Sequence, residues 1–401
     1  MDMDEDFDGR GRVDLSRGYA FYVPGDIPRS LKDMDLSGDT LYNLTEAESA
    51  LGDLSGTGRN LKNPQLLISP YMKREAVLSS KIEGAKASLT DLYQFEVGGL
   101  SSSEDVQEVK NYSEALEHGM KRIENGEDIS LELLKDLHDI LMDGVVAERG
   151  GEINTGTFRS VQNFIGGTTA EEATYVPPAP DRVPGLMDSL ERFIQSPPKM
   201  SDLVNIGLIH YQFESIHPFA DGNGRIGRLL IVLYLLKRDK LSQPLLYLSA
   251  YLNKNREDYY EHLLGVSKEG DYDSWLRFFL KGVREQSRDA LGRARRIQEL
   301  REDYIKEIRR GGGSDSFVKG IEFVFSKPVF TINDMDDGVE SMSRSTASRV
   351  TRKLVEKGIL EQVGDRSRNK RFKCPELLDL LEDEDMKFDE EETGQLTLTE
   401  T

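Results

Sequence analysis

Residues 217–228 read HPFADGNGRIGR, a stretch that contains one proline and three glycines. Pro218 disfavours helical backbone at the residue before it, so the helix that runs through YQFESIH is expected to end at His217. Gly222 and Gly224 allow positive φ, and successive backbone N–H groups can then converge on an anion. The stretch therefore predicts an anion-binding turn that follows the end of a helix.

The polar side chains of this stretch are those that a nucleotide site requires. A second helix is expected to begin near Arg225, which would place its positive dipole end beside the turn. Arg225 and Arg228 are three residues apart and share a helical face, so both cations can reach one polyphosphate. Asp221 offers a carboxylate for Mg²⁺, and His217 can accept a proton from a hydroxyl near neutral pH. The alternative is a glycine-rich turn in which the histidine merely packs.

The stretch resembles the signature of the Fic family, HxFx(D/E)GNGRxxR, and every fixed position matches. Fic proteins mostly transfer AMP from ATP to a Ser, Thr or Tyr hydroxyl of a target protein and release pyrophosphate. The resemblance implies that His217 is the general base and that Asp221 holds Mg²⁺, with ATP as the substrate. It also implies the phosphate contacts, with Gly222, Asn223 and Gly224 as the α/β-phosphate cradle and Arg225 and Arg228 neutralising the outer phosphates.

A second motif lies upstream, where residues 79–84 read SSKIEG. Ser79, Glu83 and Gly84 fit the inhibitory pattern (S/T)xxxE(G/N) of one class of Fic proteins. The resemblance implies that Glu83 pairs with Arg228, and an arginine fork held by a carboxylate cannot also clamp phosphate. The alternative is that Glu83 is an ordinary solvated charge on a helix.

Two further stretches resemble the family. RGGEINTGTFRSVQNFIGG and the following TYVPPAP look like the flap, a β-hairpin that aligns the target segment by main-chain pairing. The flap residues singled out are Val161, Phe164, Ile165 and Gly166, and a plain surface hairpin is the alternative. NREDYYEHL resembles the helix that borders the adenine pocket, which makes Tyr259 and Tyr260 candidate nucleotide contacts or a buried aromatic pair. His118, His138, His210 and His262 are isolated histidines, for which we expect structural roles.

Composition excludes several classes of protein. The 52 basic and 72 acidic residues give a net charge of −20, which argues against general coating of nucleic acid and against attraction to an anionic membrane. No apolar run approaches the length of a membrane span, and the acidic start of the chain is unlike a signal peptide, so a cytoplasmic protein is expected. Cys374 is the single cysteine, which excludes an intramolecular disulfide.

Apolar periodicity predicts a mainly α fold, with a Fic-type helical core, a β-hairpin flap and a C-terminal winged helix-turn-helix domain. The N-terminal acidic residues and the last acidic residues are poor in large apolar side chains and are expected to be disordered. A boundary is expected near Gly312, after a charged helix. The predicted division is a disordered acidic arm over residues 1–17, a Fic N-terminal region with an inhibitory helix over 18–115, a Fic catalytic core over 116–283, a charged helix and glycine linker over 284–314, a winged helix-turn-helix over 315–375 and a disordered acidic tail over 376–401.

The C-terminal segment differs in charge from the rest of the chain. Residues 344–373 contain ten Lys or Arg against three acids, a local net charge of +7. The helix, helix, hairpin order is that of a winged helix, whose second helix can enter a DNA groove. The candidate DNA contacts are Arg344, Ser348, Arg349 and Arg352. A role in protein interaction or dimerisation fits the same order of elements.

The leading hypothesis is a Mg²⁺-dependent protein adenylyltransferase, inhibited by Glu83, whose partners are ATP and a target protein that could be the chain itself. One alternative is the reverse reaction, removal of AMP from a modified protein with water positioned by Glu83. The other is a DNA-binding regulator that uses the Fic fold as a nucleotide sensor. No membrane partner is expected, and a homodimer is compatible with the sequence.

Overall fold

The computed structural model describes residues 11–60, 64–98, 103–145, 154–310, 312, 314–364, 369–384 and 386. It confirms the mainly α fold class, because helices account for most of these residues. The helices are α1 Gly38–Asn60, α2 Gln65–Ile82, α3 Leu89–Glu96, α4 Glu104–Glu124, α5 Leu131–Leu141, α6 Val183–Gln195, α7 Asp202–Ile216, α8 Asn223–Lys237, α9 Ser249–Lys254, α10 Arg256–Glu269, α11 Tyr272–Arg310, α12 Asp315–Ser326, α13 Ile332–Gly338, α14 Arg344–Glu356 and α15 Pro375–Glu382. The strands are β1 Gly11–Asp14, β2 Phe21–Pro24, β3 Val329–Thr331, β4 Glu361–Val363 and β5 Arg371–Lys373.

The chain divides into two compact units that each combine separate segments. The first unit contains Met1–Ser55, Asn111–Ser242 and Leu246–Ser287. The second contains Gly56–Lys110, Gln243–Leu245 and Arg288–Thr401. The division after Ser287 falls within α11, whose residues up to Arg310 form the charged helix that was predicted before the glycines. The boundary is therefore earlier than the one expected near Gly312.

The core of the first unit is built around α7, which is buried on almost every side. Its apolar side chains at helical spacing, Leu203, Ile206, Ile209, Phe213 and Ile216, are buried, and α7 packs against α8. Gly207 lets α11 approach α7 closely, since a Cβ there would lie 3.0 Å from Leu276 Cδ2. The indole Nε1 of Trp275 donates to the Gly207 carbonyl at 2.9 Å, which fixes the same crossing. These two contacts fix the position of the first half of α7 against α11.

A short β-hairpin precedes the helices of the first unit. Strand β1 pairs antiparallel with β2, with Arg12 opposite Val23. The N–H of Tyr22 donates to the Val176 carbonyl at 2.9 Å, which joins this hairpin to the predicted flap segment. The prediction of a disordered arm over residues 1–17 is therefore wrong for residues 11–17; residues 1–10 lie outside the described part of the chain.

The predicted flap hairpin is smaller than expected. Ile165 and Tyr175 form an isolated antiparallel bridge, with the Ile165 N–H donating to the Tyr175 carbonyl at 3.0 Å. Gly166 has φ +76°, as a turn after Ile165 requires. Among the described residues here, the pairing does not extend into named strands, and the side-chain amides of Gln162 and Asn163 donate to the Pro177 and Phe219 carbonyls. The first residues of the flap resemblance, 149–153, lie outside the described residues.

In the second unit, α2 and α3 pack with the C-terminal elements. Helix α2 contacts α12 and α15, and α3 contacts β3. The sheet has the order β3–β5–β4, with Phe330 opposite Phe372. The predicted order of elements is found, with α13 added between β3 and α14; its classification as a winged helix stays a prediction.

The acidic tail begins later than predicted. Residues 375–382 form α15, in which Leu377, Leu378 and Leu381 are buried, so the predicted disorder over 376–401 is wrong for residues 376–382. The sequence pattern did not predict this short helix, because its leucines lie among many acidic residues. Residues 387–401 lie outside the described part. Within that part, no helix combines the length and apolar character that a membrane span needs.

Candidate active site

His217 follows the last residue of α7 and adopts an unusual backbone conformation. Its φ of 51° and ψ of 61° lie in the left-handed region, which a non-glycine residue rarely adopts. Its N–H still donates to the Phe213 carbonyl at 2.9 Å, so the helical hydrogen bonding continues up to this residue. The prediction that the helix ends at His217 is confirmed. The left-handed turn redirects the chain immediately after the helix.

The turn after His217 is closed by its own side chains. Phe219 is fully buried, as an anchor for the turn. The amide of Asn223 both accepts from the Phe219 N–H at 2.8 Å and donates to the Phe219 carbonyl at 2.9 Å. Gly222 has φ +75° and precedes α8 as its N-terminal cap. Asn223 therefore fixes the shape of the turn with its side chain, a role that the sequence prediction of a phosphate contact did not include.

The turn leads into the N-terminus of α8, which begins at Asn223, two residues before the predicted start near Arg225. The first backbone N–H groups of a helix lack partners within the helix and carry partial positive charge. Arg225 and Arg228 are 3% and 2% exposed. Two nearly buried arginines beside a helix N-terminus create a strongly positive environment that suits an anion.

Asp221 is the carboxylate of this turn. Its Oδ1 accepts from the Gly222 N–H at 2.5 Å and lies 3.5 Å from an Arg225 guanidinium nitrogen, and its side chain is 27% exposed. Among the described residues, no group of three or more His, Cys, Asp or Glu side chains is arranged to hold a metal by itself. A single, partly exposed carboxylate fits the mode in which Mg²⁺ is held by one protein ligand and by nucleotide oxygens.

Three side chains outside the turn donate hydrogen bonds to its backbone: those of Arg159, Asn163 and His138. Arg159 Nε donates to the His217 carbonyl at 2.8 Å. Asn163 Nδ2 donates to the carbonyls of Phe219 and Ala220 at 3.0 and 3.2 Å. His138 Nε2 lies 3.1 Å from the Asp221 carbonyl oxygen. Sequence reasoning missed these roles because the contacts join distant positions and no local pattern marks them.

The hydrogen bonds of His138 determine its tautomer. The Gly156 N–H donates to Nδ1 at 3.0 Å, so Nε2 carries the proton and donates to Asp221. Its ring stacks on Phe219 at 3.9 Å between centroids. Burial lowers the pKa of His138 to about 4, which keeps the ring neutral at physiological pH. The structural role expected for His138 thus includes support of the turn.

His210 and Tyr259 form a buried pair. His210 Nδ1 donates to the Gly227 carbonyl at 3.1 Å, and its Nε2 accepts from the Tyr259 hydroxyl at 2.8 Å. Burial lowers the pKa of His210 to about 3. Tyr259 is 1% exposed and Tyr260 is 42% exposed. The nucleotide contacts predicted for the two tyrosines stay predictions, and Tyr260 is the one whose ring is accessible.

The remaining candidates fall in different places. In the flap segment, Val161 is exposed and Phe164 packs edge to face on Tyr19, with 5.9 Å between ring centroids. Ser79, Glu83 and Gly84 lie at the end of α2 in the second unit, where the Glu83 N–H donates to the Ser80 carbonyl at 3.1 Å. Pairing of Glu83 with Arg228 stays a prediction.

The candidate DNA contacts lie on α14 in the second unit. Arg344, Ser348, Arg349 and Arg352 are all exposed. The Arg349 guanidinium lies 5.3 Å from the centroid of the Phe317 ring. Residues 365–368, between β4 and β5, lie outside the described residues.

Comparison with known proteins identifies two adjoining regions. Residues 41–121 match the model described as Fic/DOC family N-terminal. Residues 128–235, which include the turn and α8, match the model described as Fic/DOC family. The first match begins inside the predicted N-terminal region, 18–115, and ends six residues into the predicted core, 116–283, which contains the second match.

The chain is also similar to curated relatives and to solved structures. It is 31% identical over 153 residues to a protein adenylyltransferase Fic of Drosophila melanogaster, and 33% identical over 153 residues to the one of Drosophila grimshawi. These matches cover 38% of this chain but only 27% and 28% of the relatives, so the chain spans little more than a quarter of their length.

A Fic family protein of Desulfovibrio desulfuricans superposes with a TM-score of 0.54 and 23% identity, over 84% of this chain and 96% of that chain. A Fic domain containing signaling protein of Bacteroides thetaiotaomicron superposes with a TM-score of 0.50 and 20% identity, over 62% of this chain and 95% of that chain. At this identity the likeness shows a shared fold.

Proposed function

We propose that this protein, whose residues 41–121 and 128–235 match the Fic/DOC family models, transfers AMP from ATP to a hydroxyl group of a protein. The hydroxyl oxygen of a Ser, Thr or Tyr bonds to the α-phosphorus, and the bond between the α-phosphorus and the bridging oxygen breaks. Pyrophosphate leaves, and the hydroxyl proton passes to His217. The observation that carries this proposal is the position of His217: its backbone is left-handed, and one short turn separates it from the N-terminus of α8.

The positive end of α8 supports a polyphosphate in this turn. The N–H groups at the start of the helix would bind the α- and β-phosphates, with Gly222 and Gly224 allowing close approach of the backbone. Arg225 and Arg228 would neutralise the outer phosphates, because a guanidinium can bind two phosphate oxygens at once. Asp221 would hold Mg²⁺, which supplies charge neutralisation to the leaving pyrophosphate when bound.

The flap segment supports a protein as the acceptor. Residues around Ile165 lie on the same unit as His217, and Val161 is 61% exposed beside the Ile165–Tyr175 bridge. An extended target segment could pair its backbone with this edge and bring a hydroxyl toward His217. Pairing through the backbone leaves the sequence of the target open, so the chain itself is a possible acceptor.

Inhibition by Glu83 is part of the proposal. A carboxylate paired with Arg228 would remove one of the two cations that the γ-phosphate needs. Replacing Glu83 with glycine is then expected to raise the rate of AMP transfer. A contribution of α14 to DNA binding is proposed on its exposed arginines, and it would appear as a salt-sensitive gel shift of the full chain.

The experiment that tests the proposed function compares ATP labelled at the α- and the γ-phosphate. Incubation with Mg²⁺ and a cell extract should transfer label to protein from the α-phosphate only. His217→Ala should abolish the transfer, whereas His118→Ala, at a histidine of α4 outside the turn, should leave it unchanged. Equal labelling by the wild-type protein and by His217→Ala, also in the Glu83→Gly background, would contradict the proposal.

A further inference from the structure

The backbone carbonyls of the turn are all turned toward hydrogen-bond donors. Each carbonyl from Ile216 to Asp221 accepts at least one hydrogen bond. Arg159 supplies three consecutive ones, from its side chain to Ile216 and His217 and from its backbone N–H to Pro218. No other residue in the described part of the chain binds so many of these carbonyls.

Arg159 is a buried cation without a carboxylate partner in the described part of the chain. The residue is 4% exposed, and its guanidinium also donates to the carbonyls of Val161 and Pro178. Burial lowers the pKa of Arg159 to about 10, so the side chain remains charged at neutral pH. A buried guanidinium is costly unless its donors are satisfied. Here they are satisfied by the backbone of the turn and of the flap segment together.

The conformation of His217 explains why such a group is needed. The left-handed region is unfavourable for a non-glycine residue, and such a conformation persists only where its surroundings hold it. The Nε–H of Arg159 donates to the carbonyl of His217 itself, at 2.8 Å. Its backbone N–H holds the next carbonyl, that of Pro218, at 2.9 Å. Arg159 therefore acts on the peptide groups that define this conformation.

We propose that Arg159 is a positioning residue that fixes the left-handed backbone of His217 and links it to the flap segment. This inference rests on the proposed function for the role of His217 as the base. Because the same guanidinium binds His217 and Val161, the base and the edge that would hold the target are set in one geometry. Arg159 touches neither the nucleotide nor the acceptor in this account.

The test uses Arg159→Met and Arg159→Lys in the full chain, with Arg192→Met as the matched control. Arg192 also donates to a backbone carbonyl, that of Asp188 at 3.2 Å, but it is exposed on α6. Hydrogen exchange measured by mass spectrometry should show faster exchange in residues 216–222 of Arg159→Met, while the middle of α8 stays protected. Arg192→Met should exchange like the wild-type protein.

Kinetics provide the second readout. A displacement of a reacting group by about 1 Å can lower a rate about 100-fold, so kcat of Arg159→Met is expected to fall about 100-fold. The KM for ATP should change by less than about threefold, since the start of α8 is not altered. The kcat of Arg159→Lys should lie between those of the wild-type protein and Arg159→Met, because an ammonium keeps the charge but cannot reach all the carbonyls.

The outcomes separate this inference from the proposed function. Unchanged exchange in residues 216–222 of Arg159→Met overturns the positioning role, whether or not the protein transfers AMP. Faster exchange spread over the whole first unit also overturns it, because it indicates general destabilisation. If the wild-type protein transfers no AMP while exchange rises only in the turn, the proposed function fails and the structural role of Arg159 stands.

Discussion

At the scale of single residues, the turn between α7 and α8 combines a strained residue with side chains that support it. The backbone of His217 is left-handed, and the Asn223 side chain closes the turn by hydrogen bonds with the backbone N–H and carbonyl of Phe219. The positive charge comes from Arg225 and Arg228, which are nearly buried. The chemistry of the turn thus depends on a backbone shape that other residues maintain.

Gly222 offers a direct test of that shape. Its φ of +75° favours glycine, and a Cβ there would lie 2.9 Å from Met142 Sδ. We expect Gly222→Ala to lower the free energy of unfolding by about 1–2 kcal/mol and to weaken ATP binding. Gly185→Ala in α6 is the control, since a Cβ there meets no atom within 4 Å and alanine favours a helix. Urea unfolding and ATP titration of both variants would measure this; equal stability and affinity would contradict the account.

His138 predicts a specific pH dependence. Its pKa is lowered by burial from the usual 6.5 to about 4, so the unfolded state binds more protons between these values. The wild-type protein should therefore lose stability as the pH falls through this range. His138→Gln can keep both hydrogen bonds, to Gly156 and Asp221, but does not titrate.

The free-energy difference between the wild-type protein and His138→Gln is the quantity to measure. As the pH falls from 6.5 to 5, the wild-type protein should lose on the order of 2 kcal/mol of unfolding free energy relative to His138→Gln. Urea unfolding at several pH values gives this difference directly. A difference that stays constant with pH would show that His138 does not change its protonation on unfolding.

At the scale of elements, α15 is joined to α2 and α11 by two buried arginines. Arg293 on α11 binds Asp289 through two nitrogens and donates to the carbonyls of Leu380 and Asp383. Arg74 on α2 donates to the Leu381 carbonyl at 2.8 Å. The last carbonyls of a helix lack partners within it, so these cations complete the C-terminus of α15.

Removing Arg293 should loosen this group of helices. Its side chain is 1% exposed, so Arg293→Met would leave Asp289 and the carbonyls of Leu380 and Asp383 poorly satisfied. We expect a loss of about 3 kcal/mol in the free energy of unfolding, measured by urea. The control is Arg296→Met, whose side chain is 56% exposed and pairs with Glu299, and which should change stability by less than about 0.5 kcal/mol.

A second measurement on the same variants addresses inhibition. Because α2 carries Ser79 and ends beside Glu83, loosening it should raise AMP transfer in the proposed scheme. Stability that is equal in Arg293→Met and Arg296→Met would contradict the structural role of the arginine. A stability loss without any rise in transfer would count against inhibition through α2.

The helices could largely be predicted, because their apolar residues recur at helical spacing. The turn was predicted too, since Pro218 and the glycines restrict the backbone locally. The hairpin of β1 and β2 and the helix α15 were missed because short elements among many acids give a weak pattern. The role of Arg159 could not be predicted, because it depends on contacts between residues 58 positions apart.

At the scale of the whole molecule, the chain consists of two units, and the predicted functions divide between them. The first contains His217, the turn and the flap segment. The second contains Glu83 and the exposed arginines of α14. A net charge of −20 makes the positive turn a local exception, so an anion that binds there is held by specific contacts rather than by the overall field.

The central claim is that the turn from His217 to Arg228 binds the phosphates of ATP. A crystal structure of the variant with both His217→Ala and Glu83→Gly, grown with ATP and Mg²⁺, tests it most directly. We predict α- and β-phosphate oxygens within hydrogen-bond distance of the N–H groups of residues 222–224, and outer phosphate oxygens at the guanidinium groups of Arg225 and Arg228. Nucleotide bound elsewhere in the chain, with no phosphate at the N-terminus of α8, would contradict the account.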